Sequence, residues 1–139
     1  MLVNPCRRLV PVGGSTADEF RHIQKPFILV GRWLAGLKDH AVLTNDVANS
    51  RKIVQYLIQN GNKDILFLTG PPAISSSIDR IEGSKIALRE EGLEMRKELI
   101  METDGHLYGG HRAISKVIQR GVHFTAVSAF NDLAAIGAI

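Results

Sequence analysis

The sequence has 139 residues, a formal net charge of +3 and 45% hydrophobic residues, a composition that supports one modest globular core. No apolar run reaches the length that a bilayer requires, and a single cysteine excludes an internal disulfide framework. The mild positive charge is interleaved with acids and does not define a nucleic-acid surface. The charges of segment 1–14 follow its apolar residues, unlike those of a signal peptide, so we expect a cytoplasmic protein without a membrane partner.

Short apolar runs alternate with helical patterns along the whole chain. Strands are predicted at 1–5, 26–31, 40–46, 64–70, 97–103 and 124–130, and helices at 16–23, 47–60, 78–91, 107–120 and from 131 onward. This alternation predicts right-handed βαβ units and an α/β fold with a parallel sheet. The runs 26–31, 64–70 and 124–130 lack strict alternation of apolar and polar residues, which predicts strands that are buried on both faces. The polar stretch 33–40 is the predicted hinge or linker.

The two ends of the sequence suggest a piece of a longer protein. The chain opens on a predicted strand and stops at Ile139, inside an apolar helical pattern that lacks a cap. We therefore expect an incomplete fold.

Polar side chains follow the predicted strands, at the edge of a parallel sheet where α/β proteins bind ligands. Their hydroxyls, amides, carboxylates and guanidinium groups suit a polar small molecule. They are Arg32, Asn45, Asp46, the loop 71–80 with its serines and Arg80, Asp104, His106, Asn131 and Asp132.

Each of these side chains also has a plainer structural explanation. One residue of each Asn-Asp pair can cap the helix that follows, and the serines can form a loop with a cap. Arg80 can form a surface ion pair with Asp79 or Glu82. However, an arginine in the first turn of the predicted helix 78–91 opposes the positive end of the helix dipole, which favours a ligand role. Both explanations stay open from the residues alone.

The sequence contains none of the patterns that carry enzymatic chemistry. It has no nucleophile elbow, no phosphate-binding glycine loop and no dinucleotide fingerprint. The five histidines show no metal-ligand spacing, and Cys6 has no base close to it in sequence. We therefore expect a binding protein that is not an enzyme and that needs no metal or cofactor.

Two segments carry a resemblance to a known family. They are "VLTNDVANSRKIVQYLIQNGNKDILFLTGPPAISSSIDRIEGSKIALREEGL" and "FTAVSAFNDLAAIGAI", which contain the patterns "R..G...AL...G" and "TAV...ND..A.G". Together they resemble the lactose/galactose-repressor family of bacterial transcription regulators. Nearly all of residues 26–139 follow this pattern without gaps.

The resemblance implies a particular architecture and partners. The fold would be periplasmic-binding-protein-like (type I), a three-layer α/β/α arrangement that is incomplete here. Residues 1–43 would be the end of the first effector-binding subdomain, and residues 44–139 the first part of the second. The partners would be a small effector, often a sugar or sugar derivative, and a second copy in a homodimer. Operator DNA would bind only through a helix-turn-helix that this chain does not contain.

The resemblance also assigns roles to single residues. Arg80 matches the arginine that holds the effector, and Asn131 matches a position that contacts it. Ser76 lies in the effector-facing loop, and Arg32 follows a strand end as in members that read "GR". With Asp132, the second residue of its pair, these complete the predicted effector site.

Two glycines depart from the family's usual residues. Gly31 lies where many members have a sugar-binding aspartate, and Gly105 lies where an aromatic residue often stacks on the effector. We therefore expect one contact to be missing and ring stacking to be weakened.

Two other classes of protein remain as alternatives to a regulator core. A solute-binding protein of a transporter shares the fold but would carry a secretion signal. A cytoplasmic α/β enzyme would carry a nucleophile, a metal cluster or a nucleotide loop. The coding sequence upstream would separate the first two, since a regulator has a helix-turn-helix there.

Overall fold

The computed structural model of the protein describes residues 2–3, 15–23 and 25–139. The chain divides into two compact units, 1–45 and 46–139, and each contains its own three-stranded sheet. The assignment of 1–43 and 44–139 to two effector-binding subdomains stays a prediction.

The first unit has short strands in a parallel sheet. Its elements are β1 (Leu2–Val3), α1 (Ser15–Arg21), β2 (Ile28–Val30), a 3₁₀ turn (Lys38–His40) and β3 (Ala41–Val42), in the sheet order β1-β2-β3. Leu29 is fully buried, whereas Ile28 and Val30 on either side of it are 48% and 41% exposed. The prediction that segment 26–31 is buried on both faces is therefore wrong, because the described residues cover only one face of β2.

The predicted linker at 33–40 belongs to this first unit. Leu37 is buried there, and its backbone N–H donates to the carbonyl of Leu34 at 2.9 Å. The backbone N–H of His40 donates to the carbonyl of Leu37 in turn. These contacts make the stretch a folded turn, so the prediction of a linker is wrong.

The second unit contains the main run of alternating elements. They are α2 (Asp46–Gln59), β4 (Ile65–Thr69), α3 (Ser75–Glu90), a 3₁₀ turn (Lys97–Leu99), β5 (Ile100–Glu102), α4 (Leu107–Gln119), β6 (Ala126–Ala129) and α5 (Asp132–Gly137). The sheet is parallel in the order β5-β4-β6, with Phe67 opposite Ile100 and Ile65 opposite Ala126. The predicted alternation of strands and helices is confirmed in this unit.

Strand β4 lies in the middle layer of three, with helices packed on both faces of its sheet. Successive side chains of a strand point to opposite faces of the sheet. Ile65 and Phe67 pack with α2 and α3 on one face, while Leu66 and Leu68 pack with α4 on the other. Both faces of β4 are buried, as the continuous apolar run 64–70 predicts.

Strand β6 lies at an edge of the sheet within the described residues. It pairs only with β4 there, and Val127 is 36% exposed. The prediction that segment 124–130 is buried on both faces is wrong for this reason.

Helix α3 begins earlier than the sequence pattern predicts. Its first turn is Ser75–Ile78, and Ile74 before it is extended with φ −94° and ψ 125°. The Ser77 hydroxyl donates to the carbonyl of Gly70 at 2.9 Å, which ties this turn to the end of β4. Arg80 consequently lies in the second turn, and the argument from the dipole of a first turn does not apply to it.

Candidate functional site

The carboxyl ends of β4 and β6 open onto a cavity of about 560 Å³. It is formed by β4, β6, α2, α3 and α5, all within the second unit, and it continues along the exposed edge of β6. One part of the cavity wall is apolar and contains Ile53, Ile81 and Val127. The residues Arg80, Phe130, Asn131 and Asp132 line the other part, which we call the polar end.

Arg80 connects three elements at the polar end. Its Nε and Nη2 both lie 3.3 Å from Oδ1 of Asp46 on α2, and its Nη1 donates to the backbone carbonyl of Phe130. The side chain is 39% exposed, and that of Asp46 is only 11% exposed. A guanidinium group has five N–H donors, so two remain for a ligand.

The ring of Phe130 fills a slot between two glycines. A Cβ on Gly70 would lie 2.7 Å from three ring atoms, and a Cβ on Gly105 would lie 3.4 Å from two others. The guanidinium carbon of Arg80 lies 5.2 Å from the ring centroid, within the range of a cation–π contact. The missing side chains of the two glycines thus make room for an aromatic ring that supports Arg80.

Asn131 joins two of the loops at the strand ends. Its Oδ1 accepts from the backbone N–H of Ala134 at 2.9 Å, which caps α5. Its Nδ2 donates to the carbonyl of Gly105 at 2.8 Å. Both polar atoms have structural partners, so the capping explanation holds for this residue, and its contact with an effector stays a prediction.

The loop after β5 is fixed by its own hydrogen bonds. The Thr103 hydroxyl donates to the carbonyl of Thr69 and accepts from the backbone N–H of Gly105. The carboxylate of Asp104 accepts from the backbone N–H of His106 at 2.9 Å. These bonds hold Gly105, which has φ +76°, against the ring of Phe130.

The other predicted site residues have different positions. Ser76 is buried in the first turn of α3, so its placement in a loop is wrong, whereas its contact with an effector stays a prediction. Asp132 is exposed and lines the polar end. Arg32 follows β2 in the first unit, and its role at the site stays a prediction.

The sequence analysis names Asp46 but not its contact with Arg80, and it does not name Phe130. Asp46 belongs to a noted Asn-Asp pair, but its partner, Arg80, is 34 positions away in sequence. Of the two partners expected for Arg80, Asp79 and Glu82, the second pairs instead with Arg89. Phe130 ends an apolar run, which gives no sign that its ring turns toward the site.

The described part of the chain contains no group of three metal-ligating side chains, and no helix in it is long and apolar enough to cross a membrane. A parallel three-layer unit with polar groups at its strand ends is typical of small-molecule-binding α/β domains.

Residues 18–139 match the family described as periplasmic binding proteins and sugar binding domain of LacI family. The chain therefore belongs to this family. It is 31% identical over 112 residues to the HTH-type transcriptional regulator GalR of Escherichia coli K12, covering 81% of this chain and 33% of GalR. The chain thus spans about a third of the length of that relative.

Comparison with solved structures also finds transcriptional regulators. The fold is similar to that of a sugar-binding transcriptional regulator of the LacI family from Escherichia coli complexed with phosphate, with a TM-score of 0.77 and 30% identity. That match covers 99% of this chain and 48% of the other. The transcriptional regulator CelR in its complex with cellobiose is also similar, with a TM-score of 0.74, 26% identity, and coverage of 81% and 35%.

Proposed function

We propose that the chain is the effector-sensing part of a bacterial transcriptional repressor of the LacI type. The effector binds at the polar end of the cavity, where Arg80 donates hydrogen bonds and Asp132 accepts them. The observation that carries this proposal is the fixed guanidinium of Arg80 at the carboxyl ends of β4 and β6, with two N–H groups left over.

The effector is a sugar or a sugar derivative. Hydroxyl groups match the mixture of donors and acceptors at the polar end. Relatives that are named as a sugar-binding regulator and as a cellobiose complex support this class of ligand. The protein acts in the cytoplasm as a homodimer, it is not an enzyme, and it reaches operator DNA through a segment outside this chain.

The regulator is favoured over a transporter component by the relatives, which are named as transcriptional regulators. The test uses the complete coding sequence that contains the chain. We expect it to encode a helix-turn-helix before residue 1. A secretion signal in that place would favour the transporter alternative instead.

Binding by Arg80 is tested by calorimetry on that complete protein with a panel of galactose, glucose and cellobiose. We expect at least one sugar to bind, and Arg80→Gln to weaken its binding by about 1.5–3 kcal/mol, the scale of a hydrogen bond to a charged group. Arg89→Gln is the matched control, because Arg89 lies on the same helix but pairs with Glu82 on an exposed face.

Gel-shift titration measures the consequence for DNA. Operator affinity without sugar should be the same in the Arg80→Gln variant as in the wild type, because the residue contacts ligand and not DNA. Equal sugar affinity in both proteins, or no binding of any sugar in the panel, would contradict the proposed function.

A further inference from the structure

A second cavity, of about 330 Å³, lies between the carboxyl end of β5 and helix α4, and we call it the β5–α4 cavity. It belongs to the second unit, and within the described residues it shares no lining residue with the larger cavity at β4 and β6. Its apolar lining residues include Pro71, Met101 and Ala113. Its charged lining residues are Glu102, Asp104, Arg112 and Lys116. The β5–α4 cavity therefore combines an apolar surface with charges of both signs.

The acids and the bases of this cavity come from different elements. Glu102 is the last residue of β5, and Asp104 follows it in the next loop. Arg112 and Lys116 are four residues apart on α4, and residues with this spacing share one face of a helix. The strand end thus supplies the carboxylates, and the helix supplies the cations.

Asp104 and Arg112 hold each other in place. Nη2 of Arg112 lies 3.7 Å from Oδ2 of Asp104, and the guanidinium carbon lies 5.4 Å from the ring centroid of Tyr108. The other carboxylate oxygen, Oδ1, accepts from the backbone N–H of His106 at 2.9 Å, and a Cβ on Gly109 would collide with it. The missing side chain of Gly109 therefore makes room for this carboxylate, and the pair is a fixed part of the cavity wall.

Glu102 and Lys116 are the two charges that remain unmatched. Within the described residues, neither charged group has a hydrogen bond or an ion pair, so the two do not contact each other although they line the same cavity. Both side chains are exposed to water. A ligand that carries a cation and an anion can bridge two such groups and gain from both attractions.

A ligand with a single charge suits the cavity less well. An anion at Lys116 is repelled by Glu102 and Asp104, and a cation at Glu102 is repelled by Arg112 and Lys116. A zwitterion pairs with one charge of each sign and brings no net charge. Methylene groups between its two ends would contact Met101 and remove apolar surface from water.

We propose that the β5–α4 cavity binds a small zwitterion, an amino acid whose ammonium and carboxylate groups are separated by several methylene groups. Glu102 binds the ammonium group, and Lys116 binds the carboxylate. The site is separate from the polar end of the larger cavity, so the inference does not depend on the proposed function.

The experiment is an NMR titration of the 139-residue chain with γ-aminobutyrate at constant pH and ionic strength. The readout is the methyl signal of Met101, which lines the cavity and is assigned by its loss in Met101→Leu. Met95 packs against the core on the opposite face of the sheet and serves as the internal reference. We expect a saturable shift of the Met101 signal at millimolar ligand and no shift of the Met95 signal.

Two further ligands separate zwitterion binding from the binding of one charge. Butyrate carries only the anion, and butylammonium carries only the cation, on a chain of the same length. Each loses one ion pair with the protein, so we expect each to bind at least about threefold more weakly than γ-aminobutyrate.

Matched variants test the two residues. Glu102→Gln and Lys116→Gln should each weaken γ-aminobutyrate binding by about three- to fivefold, the scale of an exposed ion pair. Lys116→Arg keeps the charge and should bind nearly as the wild type does. Glu91→Gln and Lys97→Gln remove the same charges from exposed positions outside the cavity, and neither should change the affinity.

Three results would overturn the inference. The first is the absence of a saturable shift of the Met101 signal in the wild type. The second is an affinity for butyrate or butylammonium that equals the affinity for γ-aminobutyrate. The third is unchanged affinity in both Glu102→Gln and Lys116→Gln, with the Met95 signal showing that the variants are folded.

Discussion

Asn131 shows how one side chain can hold two loops together at the strand ends. Asn131→Ala removes the cap of α5 and also leaves the carbonyl of Gly105 without its donor. We expect the free energy of unfolding to fall by about 1–2 kcal/mol, measured by urea titration. Asn131→Ser retains a capping oxygen and should lose less. Equal stability of the alanine variant and the wild type would show that neither bond contributes.

Gly83 on α3 lies directly against the backbone of α2. Alanine would gain about 1 kcal/mol of helix propensity there, but its Cβ would lie 2.1 Å from the backbone carbonyl of Val47. Overpacking costs about 1–3 kcal/mol, and a backbone atom cannot rotate away as a side chain can. We therefore expect Gly83→Ala to be destabilising in thermal unfolding. Lys85→Ala, at an exposed position of the same helix, should change stability by less than about 0.5 kcal/mol. A more stable Gly83→Ala would mean that the helices separate easily.

Contacts between single residues are the part that the sequence could not provide. The pairing of Arg80 with Asp46, and the slot that Gly70 and Gly105 leave for Phe130, join segments that are far apart in the chain. Composition and local sequence pattern do not show which distant segments lie close together in the folded chain. The sequence could only indicate that polar groups collect at the strand ends.

Strands and helices, in contrast, follow from local patterns. The apolar run 64–70 marks strand β4. Gly61 and Gly121 mark the ends of α2 and α4, since both adopt the left-handed conformation that ends a helix. The start of α3 was misplaced because the serines of its first turn are typical of a loop. Their burial depends on the contact of Ser77 with Gly70, which the local pattern does not show.

Because β4 is the central strand of its sheet, we expect substitutions in β4 to lower the free energy of unfolding more than substitutions in the edge strand β6. Leu66 is fully buried between the sheet and α4, so Leu66→Ala should lower the free energy of unfolding by about 2–5 kcal/mol. Val127→Ala on the edge strand β6 should cost less than about 1 kcal/mol, because Val127 is already 36% exposed. Urea titrations of the two variants would measure both values. Similar losses at the two positions would contradict the order of burial in the sheet.

Over the whole molecule, stability should differ between the two units. The described residues of the first unit form strands of two, three and two residues, and such short strands bury too little apolar surface for high stability. Its turn 33–40 contains Trp33, the only tryptophan of the chain, whereas four of the five described α-helices lie in the second unit. Tryptophan fluorescence therefore reports on the first unit, and far-UV circular dichroism reports mainly on the second.

We expect the two signals to change at different urea concentrations, with the fluorescence of Trp33 changing first. Leu66→Ala should move the transition seen by circular dichroism to lower urea and leave the fluorescence transition in place, because Leu66 packs with α4 in the core of the second unit. Non-coincident transitions are the mark of unfolding that is not two-state. If both signals change together in the wild type, and both shift together in Leu66→Ala, the two units unfold as one cooperative body and the expected difference in stability does not exist.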